Sequence, residues 1–309
     1  MDWHLLISQL LNGLQLGLLL FLLAAGLSLI FGIMDFINLS HGSFYMVGAL
    51  VGASVAALTG SLLIAALAAV VAVFVVGAAV EWLVVCRLYN KDHLDHVLVT
   101  YGLILVFDSV ARMIWGPAGA AIALPEALNG RIEIGDFVIP AYRLLIIACG
   151  LLAAAGLYFL VTRSRLGMLI RAGASNRVMV TALGVNIDRL YRIVFAIGAA
   201  LAGFAGILIA PLTEAHIGMG NEIIIIAFVV VIVGGIGSVK GAFYAALLIG
   251  FIDTLGRSYL DDVLKLFLSN QSAETAAPAL SAMLVYILMA GVLVCKPQGL
   301  FSAAGFNRR

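Results

Sequence analysis

The chain alternates long apolar runs with short polar stretches. A helix needs about 20 apolar residues to cross the hydrocarbon core of a bilayer. Runs of this kind predict helices over residues 8–32, 44–59, 61–85, 96–115, 141–161, 191–212, 222–237, 241–257 and 279–295. The second, seventh and eighth are short, so we expect them to be tilted, broken or re-entrant. The pattern predicts an all-α polytopic membrane protein with about 8–10 transmembrane helices.

Composition supports this fold class. Hydrophobic residues make up 64% of the 309 positions and charged residues 11%, whereas soluble domains carry about 25% charged residues. The bilayer must therefore solvate most of the surface of a single transmembrane domain that spans residues 1–309. The net charge of +1 gives no reason to expect a nucleic-acid partner.

Small residues recur at four-residue spacing within the apolar runs. Such spacing lets helix backbones approach closely in a membrane, where the hydrophobic effect does not drive helices together. We therefore expect tight helix packing at Gly13–Gly17, Gly48–Gly52 and Gly198–Ala202–Gly206.

Between Thr162 and Arg192 the apolar sequence is interrupted by six arginines and one acidic residue, Asp188. Short loops rich in lysine and arginine face the cytoplasm. Placing this segment inside, with nine crossings, also places Lys296, Arg308 and Arg309 inside. The expected orientation has the N-terminus outside and the C-terminus in the cytoplasm; an even number of crossings would reverse the N-terminus alone.

A short helix is predicted inside this segment. Ser175 is the expected N-cap and Gly184 the left-handed residue after the helix end. The eight residues between them, Asn176 to Leu183, span about 12 Å. Val178, Met179 and Ala182 would form an apolar patch beside Arg177. A two-turn helix is unstable alone, so it either lies on anionic headgroups or is a coupling helix received by a cytoplasmic ATPase.

A polar break follows the first apolar run. Asp35, Asn38, Ser40 and His41 interrupt hydrophobic sequence near the predicted inner end of that run. Backbone freed by a broken helix, and polar side chains within the membrane, usually face a cavity. These four residues are candidates for a translocation path. The alternative is an interfacial turn in which Asn38 and Ser40 cap the next helix.

Other polar positions give weaker signals. Asp108 and Arg112 lie four residues apart on one helix face and are expected to form an ion pair. His93 and His96 lack a third metal ligand, so no metal site is predicted. The single cysteines Cys86, Cys149 and Cys295 are expected to be packing residues.

Four stretches of the chain resemble the permease subunits of branched-chain amino acid ABC transporters of the LivH type. They are GLSLIFGIMDFINLSHG at 26–42, RAGASNR at 171–177 with ALGVN at 182–186, GGIGSVKG at 234–241 and KPQGLF at 296–301. The resemblance implies that residues 162–190 are a cytoplasmic coupling segment. It places ATPase coupling at Ser175, Asn176, Arg177, Val178, Met179, Ala182, Leu183 and Gly184. Val178 stands where relatives are expected to carry an acidic residue.

The resemblance also implies the partners. These are two cytoplasmic ATPase subunits, a periplasmic substrate-binding protein and a second permease, either LivM-like or another copy, in the inner membrane of a bacterium. ATP and Mg²⁺ would be bound by the ATPases and no cofactor by this chain. The sequence agrees, because it contains no Gly-x-x-x-x-Gly-Lys-Ser/Thr phosphate-binding loop.

The leading hypothesis is a permease subunit, not itself an enzyme, that translocates branched-chain or related amino acids by alternating access. Two alternatives remain open. An ion-coupled secondary transporter of small amino acids or amides would use a buried titratable residue, Asp108 or Asp253. A membrane-embedded enzyme would need a metal or nucleophile cluster, for which His93 with His96 is the candidate.

Overall fold

The computed structural model describes residues 3–134 and 137–301. Arg308 and Arg309, which were counted in the orientation prediction, lie outside the described residues, as do residues 135–136 of the predicted 116–140 loop.

Helices dominate the described part of the chain, as predicted. In chain order they are α1 (Trp3–Met34), α2 (His41–Thr59), α3 (Leu62–Leu83), a 3₁₀ turn (Val85–Arg87), α4 (His93–Trp115), α5 (Glu126–Asn129), α6 (Ala141–Arg163), α7 (Arg165–Ser175), α8 (Arg177–Ala182), α9 (Ile187–Thr213), α10 (Met219–Gly234), α11 (Val239–Leu264) and α12 (Asn270–Cys295). Within the described residues, eight of them are long and apolar enough to cross a membrane. The 16-residue α10 is shorter, in agreement with the predicted short seventh span.

A small hairpin was not predicted. Strands β1 (Arg131–Ile134) and β2 (Phe137–Pro140) pair antiparallel, with Ile132 opposite Ile139. A separate antiparallel bridge joins Ala120 to Ala215, which lies in the connection between α9 and α10. In a four-residue strand, the alternation of apolar and polar side chains is too short to be distinguished from the sequence of a polar loop.

The first helix forms the centre of the bundle. From Gly17 to Ile30 every residue of α1 is buried, and the helix packs against α6, α9, α10 and α11. Glycines make these contacts possible. A methyl group on Gly17 would lie 2.9 Å from Leu247 Cα of α11, and one on Gly26 would overlap the Gly198 carbonyl of α9. The predicted close packing at small residues is therefore confirmed here.

Two helices are longer than predicted. The predicted helices 241–257 and 279–295 leave residues 258–278 as a loop, but α11 continues to Leu264 and α12 begins at Asn270. The ion pairs Asp253–Arg257 and Asp261–Lys265, each four residues apart, support the last turns of α11. Ser269 caps α12 by accepting a hydrogen bond from the Ser272 amide.

Candidate functional site

The basic segment 162–190 folds as two helices rather than one. The additional helix, α7, begins where the Ser164 hydroxyl accepts a hydrogen bond from the Gly167 amide at 2.9 Å. It ends at Ser175, so the prediction that Ser175 caps the next helix is wrong. Asn176 is the N-cap of α8, because its side-chain oxygen accepts from the Met179 amide at 2.9 Å. Asparagine and serine are both good N-caps, and the sequence offered them side by side.

The end of α8 agrees with prediction. Gly184 has a φ of 84°, the left-handed conformation that favours glycine. The helix itself covers Arg177–Ala182, slightly shorter than the predicted Asn176 to Leu183. It presents apolar side chains to the surroundings: Val178 is 79% exposed and Leu183 76% exposed, and Met179 and Ala182 are also exposed. The exposed face of α8 is therefore apolar.

The same helix is attached to the bundle on its other face. The Val180 side chain is buried, and the Arg177 guanidinium lies 5.6 Å from the ring centre of Tyr191 in α9. A cation over an aromatic face is attracted to it. Helix α8 is therefore attached to the start of α9.

A buried carboxylate continues this attachment into α3. Glu81 is fully buried in α3 and accepts a hydrogen bond from Arg192 Nε of α9 at 2.8 Å. The Tyr89 hydroxyl also donates to Glu81, and the Tyr89 ring packs edge-on against Tyr191 at 5.1 Å. Burial, and then the hydrogen bond to Glu81, raise the pKa of the Tyr89 phenol, so it remains a donor. This network, Glu81–Tyr89–Tyr191–Arg192, was not predicted.

The polar break after α1 leads back into the membrane. His41, the first residue of α2, places Nε2 3.1 Å from the carbonyl oxygen of Leu23. Leu23 lies 11 residues before the end of α1 at Met34, which corresponds to about 16 Å along the helix axis. Residues 35–40 therefore return along α1, and α2 starts well inside the bundle.

A second helix begins at the same place. The backbones of Gly42 in α2 and Gly220 in α10 touch, so that a methyl group on either glycine would overlap the carbonyl of the other. The first turns of α2 and α10 thus meet inside the protein, and we call this meeting point the helix junction. Helix N-termini carry partial positive charge and unpaired amide groups, so the junction favours negatively charged groups.

Buried polar side chains surround the helix junction, and several of their atoms have no partner. Asn38, Ser40 and His41 are fully buried and Ser43 is nearly so. Ser40 sits at the N-cap position of α2, but its hydroxyl donates to Asn38 Oδ1 and makes no cap, which contradicts the capping alternative. Within the described residues, Asn38 Nδ2, His41 Nδ1 and Ser43 Oγ have no hydrogen-bond partner. Buried polar atoms of this kind are rare in native proteins.

The fourth predicted path residue lies elsewhere. Asp35 is exposed at the end of α1, with a φ of 51° and its carboxylate 3.9 Å from His93 Nε2. His96 is buried, with Nε2 2.9 Å from the Leu88 carbonyl. Among the residues that the structure describes, no group of three His, Cys, Asp or Glu side chains is placed to hold a metal ion.

The expected ion pair between Asp108 and Arg112 does not form. The Asp108 carboxylate accepts a hydrogen bond instead from the Asn221 side chain at 3.1 Å, which joins α4 to the first turn of α10. This partner lies on another helix, and the hydrogen bond is at the exposed surface of the bundle. The sequence could not supply it, since the two residues are 113 positions apart.

Comparison with known proteins identifies the chain's relatives. Residues 9–293 match the family model described as "Branched-chain amino acid transport system / permease component". The chain belongs to this family. It is 28% identical to the high-affinity branched-chain amino acid transport system permease protein LivH of Escherichia coli K12, over 93% of this chain and 95% of the relative. It is 30% identical to BraD, a permease protein of the same description from Pseudomonas aeruginosa, over 84% of this chain and 89% of the relative.

A more distant relative shows that family likeness extends beyond one substrate. The ribose import permease protein RbsC of E. coli K12 is 29% identical over 80% of this chain and 77% of the relative. No solved structure matches the chain. Family membership and the eight long apolar helices among the described residues make the chain a multi-pass membrane permease subunit of an ABC importer, a transport component of the inner membrane.

Proposed function

We propose that this subunit imports branched-chain or related amino acids by alternating access, driven by two cytoplasmic ATPases that bind ATP and Mg²⁺. A periplasmic binding protein delivers the substrate, and a second permease, LivM-like or another copy, completes the membrane unit. The relatives' printed substrates and the chain-long match support this proposal. The observation that carries it is the attachment of the outward-facing α8 to α9 through Arg177 and Tyr191.

The attachment gives the ATPases a mechanical path into the membrane. Closure of the ATPases pushes on the apolar face of α8, at Val178, Met179 and Leu183. Tyr191 and the Glu81 network carry the displacement to α9 and α3. The 27-residue α9 packs tightly against α2 and α3, so its motion moves its neighbours as a body.

The helix junction lies where that motion would open or close a path. Asn38, Ser40 and His41 provide buried polar groups there, and the first turns of α2 and α10 favour a carboxylate. We propose that a substrate passes here when α2 and α10 separate. Asp35, exposed at the inner end of α1, would meet the substrate only after it has left the junction.

The proposed orientation places α8 and the C-terminus in the cytoplasm. Arg163, Arg165, Arg171, Arg177 and Arg189 all lie between α6 and the first turn of α9, a density of positive charge that favours the inner side. A cysteine introduced at position 177 should react with membrane-impermeant thiol reagents only from the inner side. Reaction from the outer side of intact cells would contradict the orientation.

The function is tested by purifying the chain in mild detergent from its own cell and reconstituting what copurifies. The proposal predicts that ATPase subunits are recovered and that the reconstituted complex imports L-leucine, with its binding protein, only when ATP is supplied. A chain that purifies alone and transports on an ion gradient would support the secondary-transporter alternative. In that case Asp108→Asn or Asp253→Asn would abolish transport without affecting assembly, whereas the importer should tolerate Asp108→Asn.

The same preparation tests the coupling helix. Asn176→Ala removes the cap of α8, which costs about 0.5–2 kcal/mol, and Gly184→Val places a branched residue at a φ of 84°. The double variant should hydrolyse ATP but import about tenfold less leucine per ATP, since a two-turn helix has little stability to lose. Asn129→Ala with Gly130→Val is the matched control, because Gly130 has a φ of −69° and faces open space. Unchanged coupling in the α8 variant would contradict the assignment.

A further inference from the structure

A polar cavity lies between the outer ends of four helices. It has a volume of about 470 Å³ and is bounded by α1, α6, α9 and α11. This size falls within the range of small-molecule sites, about 300–1,000 Å³. Its polar lining includes Gln9, Asn12, Gln15, Arg143, Asp253 and Arg257. Polar and charged residues within transmembrane helices are costly to insert, so a cluster of them indicates function.

The three polar residues of α1 are three positions apart, on one face of the helix. The Arg143 guanidinium donates to Asn12 Oδ1, and the Asn12 amide donates to Gln9 Oε1 at 2.9 Å. The third residue, Gln15, is only 8% exposed, yet within the described residues its side-chain amide has no hydrogen-bond partner. An amide that lines a cavity and has no partner within the described residues can bind a ligand.

The charges of the cavity have a definite arrangement. Asp253 has a 14% exposed side chain, and its Oδ2 accepts from Arg257 Nε at 2.9 Å. In the part of the chain that the structure describes, the other carboxylate oxygen of Asp253 has no partner. Arg143 lies on a different helix, α6, and forms no ion pair there. The cavity thus offers one incompletely satisfied carboxylate and one guanidinium without a counter-ion.

We propose that this cavity binds the zwitterion of an α-amino acid as it enters from the outer side. The substrate carboxylate would bind Arg143, its ammonium group would bind Asp253, and its aliphatic side chain would lie against Leu16 and Leu212. The inference rests on the proposed function for its substrate class. It adds a reception site that is separate from the helix junction. Two guanidinium groups against one carboxylate make the site unsuitable for a cation without a carboxylate group.

The test uses a cysteine at Ser258, which lines the cavity. The chain's own thiols Cys86, Cys149 and Cys295 are first replaced by alanine, and the full transporter is labelled in membranes stripped of binding protein. L-Leucine should slow labelling of Ser258→Cys by an externally added thiosulfonate several-fold. Leucinamide, which lacks the carboxylate, and 4-methylpentanoate, which lacks the ammonium group, should protect far less. Ser269→Cys, exposed and outside the cavity lining, is the control and should not be protected.

Charge variants sharpen the test. Arg143→Gln and Asp253→Asn should each abolish protection by L-leucine, whereas Arg143→Lys should retain part of it. Arg131→Gln and Asp262→Asn are matched controls on exposed residues outside the cavity and should leave protection unchanged. Equal protection in the charge variants would overturn the proposal. Recovery of every variant with the ATPases shows that lost protection is not lost folding.

The outcomes separate this site from the proposed function. Leucine import by the intact transporter without protection at position 258 would contradict the site alone. Protection without import would support the site and contradict leucine as the transported substrate. Absence of both protection and import would contradict both.

Discussion

Substituting Arg192 with alanine is expected to destabilise the protein by about 3 kcal/mol, the lower end for a buried pair because the Arg192 side chain is 38% exposed, and to abolish coupled transport. The Glu81 carboxylate is fully buried, and Arg192 is the cation that pairs with it. Without that partner, the buried charge keeps only its hydrogen bond from Tyr89. Thermal unfolding of the purified chain, followed alongside leucine import per ATP hydrolysed, measures both effects.

A matched ion pair on the opposite side of the bundle provides the control. Lys265 pairs with Asp261 at 2.6 Å, but both side chains are about one-third exposed, at 30% and 34%. Partly exposed pairs contribute about 0–1 kcal/mol, so Lys265→Ala should change stability little. Equal losses from Arg192→Ala and Lys265→Ala would contradict the importance given to the burial of Glu81.

Stability and coupling can be separated at this network. Glu81→Gln with Arg192→Gln removes both charges together and leaves no unpaired buried ion, so much of the stability should return. Coupling should not return, because the ionic connection between α3 and α9 is still missing. If the double variant regains both stability and import, the network serves folding alone and does not transmit motion from α8.

The sequence pattern predicted the fold because the bilayer restricts the choices. Backbone groups in hydrocarbon must be satisfied within the segment, so a long apolar run is a helix. The runs near 61–85 and 191–212 correspond to α3 and α9 within a few residues. Outside the hydrocarbon region, caps and ion pairs determine where each helix begins and ends. The prediction was therefore weakest there, as the extension of α11 to Leu264 shows.

The functional residues were harder to predict, since their partners are distant in sequence. Glu81 and Arg192 are 111 positions apart. One signal was available: Glu81 is the single charged residue in the run 61–85, and a carboxylate within a span implies a partner. The three-residue spacing of Gln9, Asn12 and Gln15 was a similar signal for the cavity between α1, α6, α9 and α11. Neither signal identifies which helix supplies the partner residues.

The coupling segment illustrates a different limit. Gly184 was predicted correctly because a left-handed residue after a helix strongly favours glycine. Ser175 was predicted wrongly because two adjacent residues can both act as caps. The choice was decided by α7, whose own cap at Ser164 lets it continue through Ser175. The start of α8 therefore depended on the end of α7, a helix that was not predicted because the segment is rich in basic residues.

Substituting Gly48 with alanine is expected to destabilise the bundle strongly. A methyl group at Gly48 of α2 would overlap the backbone of Gly203 in α9, including its Cα and carbonyl oxygen. Backbone atoms cannot rotate away, so α2 and α9 must separate along their whole contact. Overpacking typically costs about 1–3 kcal/mol, and the rigid partner here places the expected loss at the top of that range or above it.

Gly102→Ala is the matched control, because the two substitutions are expected to change stability in opposite directions. Gly102 lies in α4, also mid-helix, and a methyl group there meets nothing within 4 Å. Alanine is a better helix former than glycine by about 1 kcal/mol, so Gly102→Ala should be neutral or stabilising while Gly48→Ala is destabilising. Thermal unfolding of the two purified variants measures the difference. A stabilising Gly48→Ala would mean that α2 and α9 are not in close contact. In that case displacement of α9 could not reach the helix junction through α2.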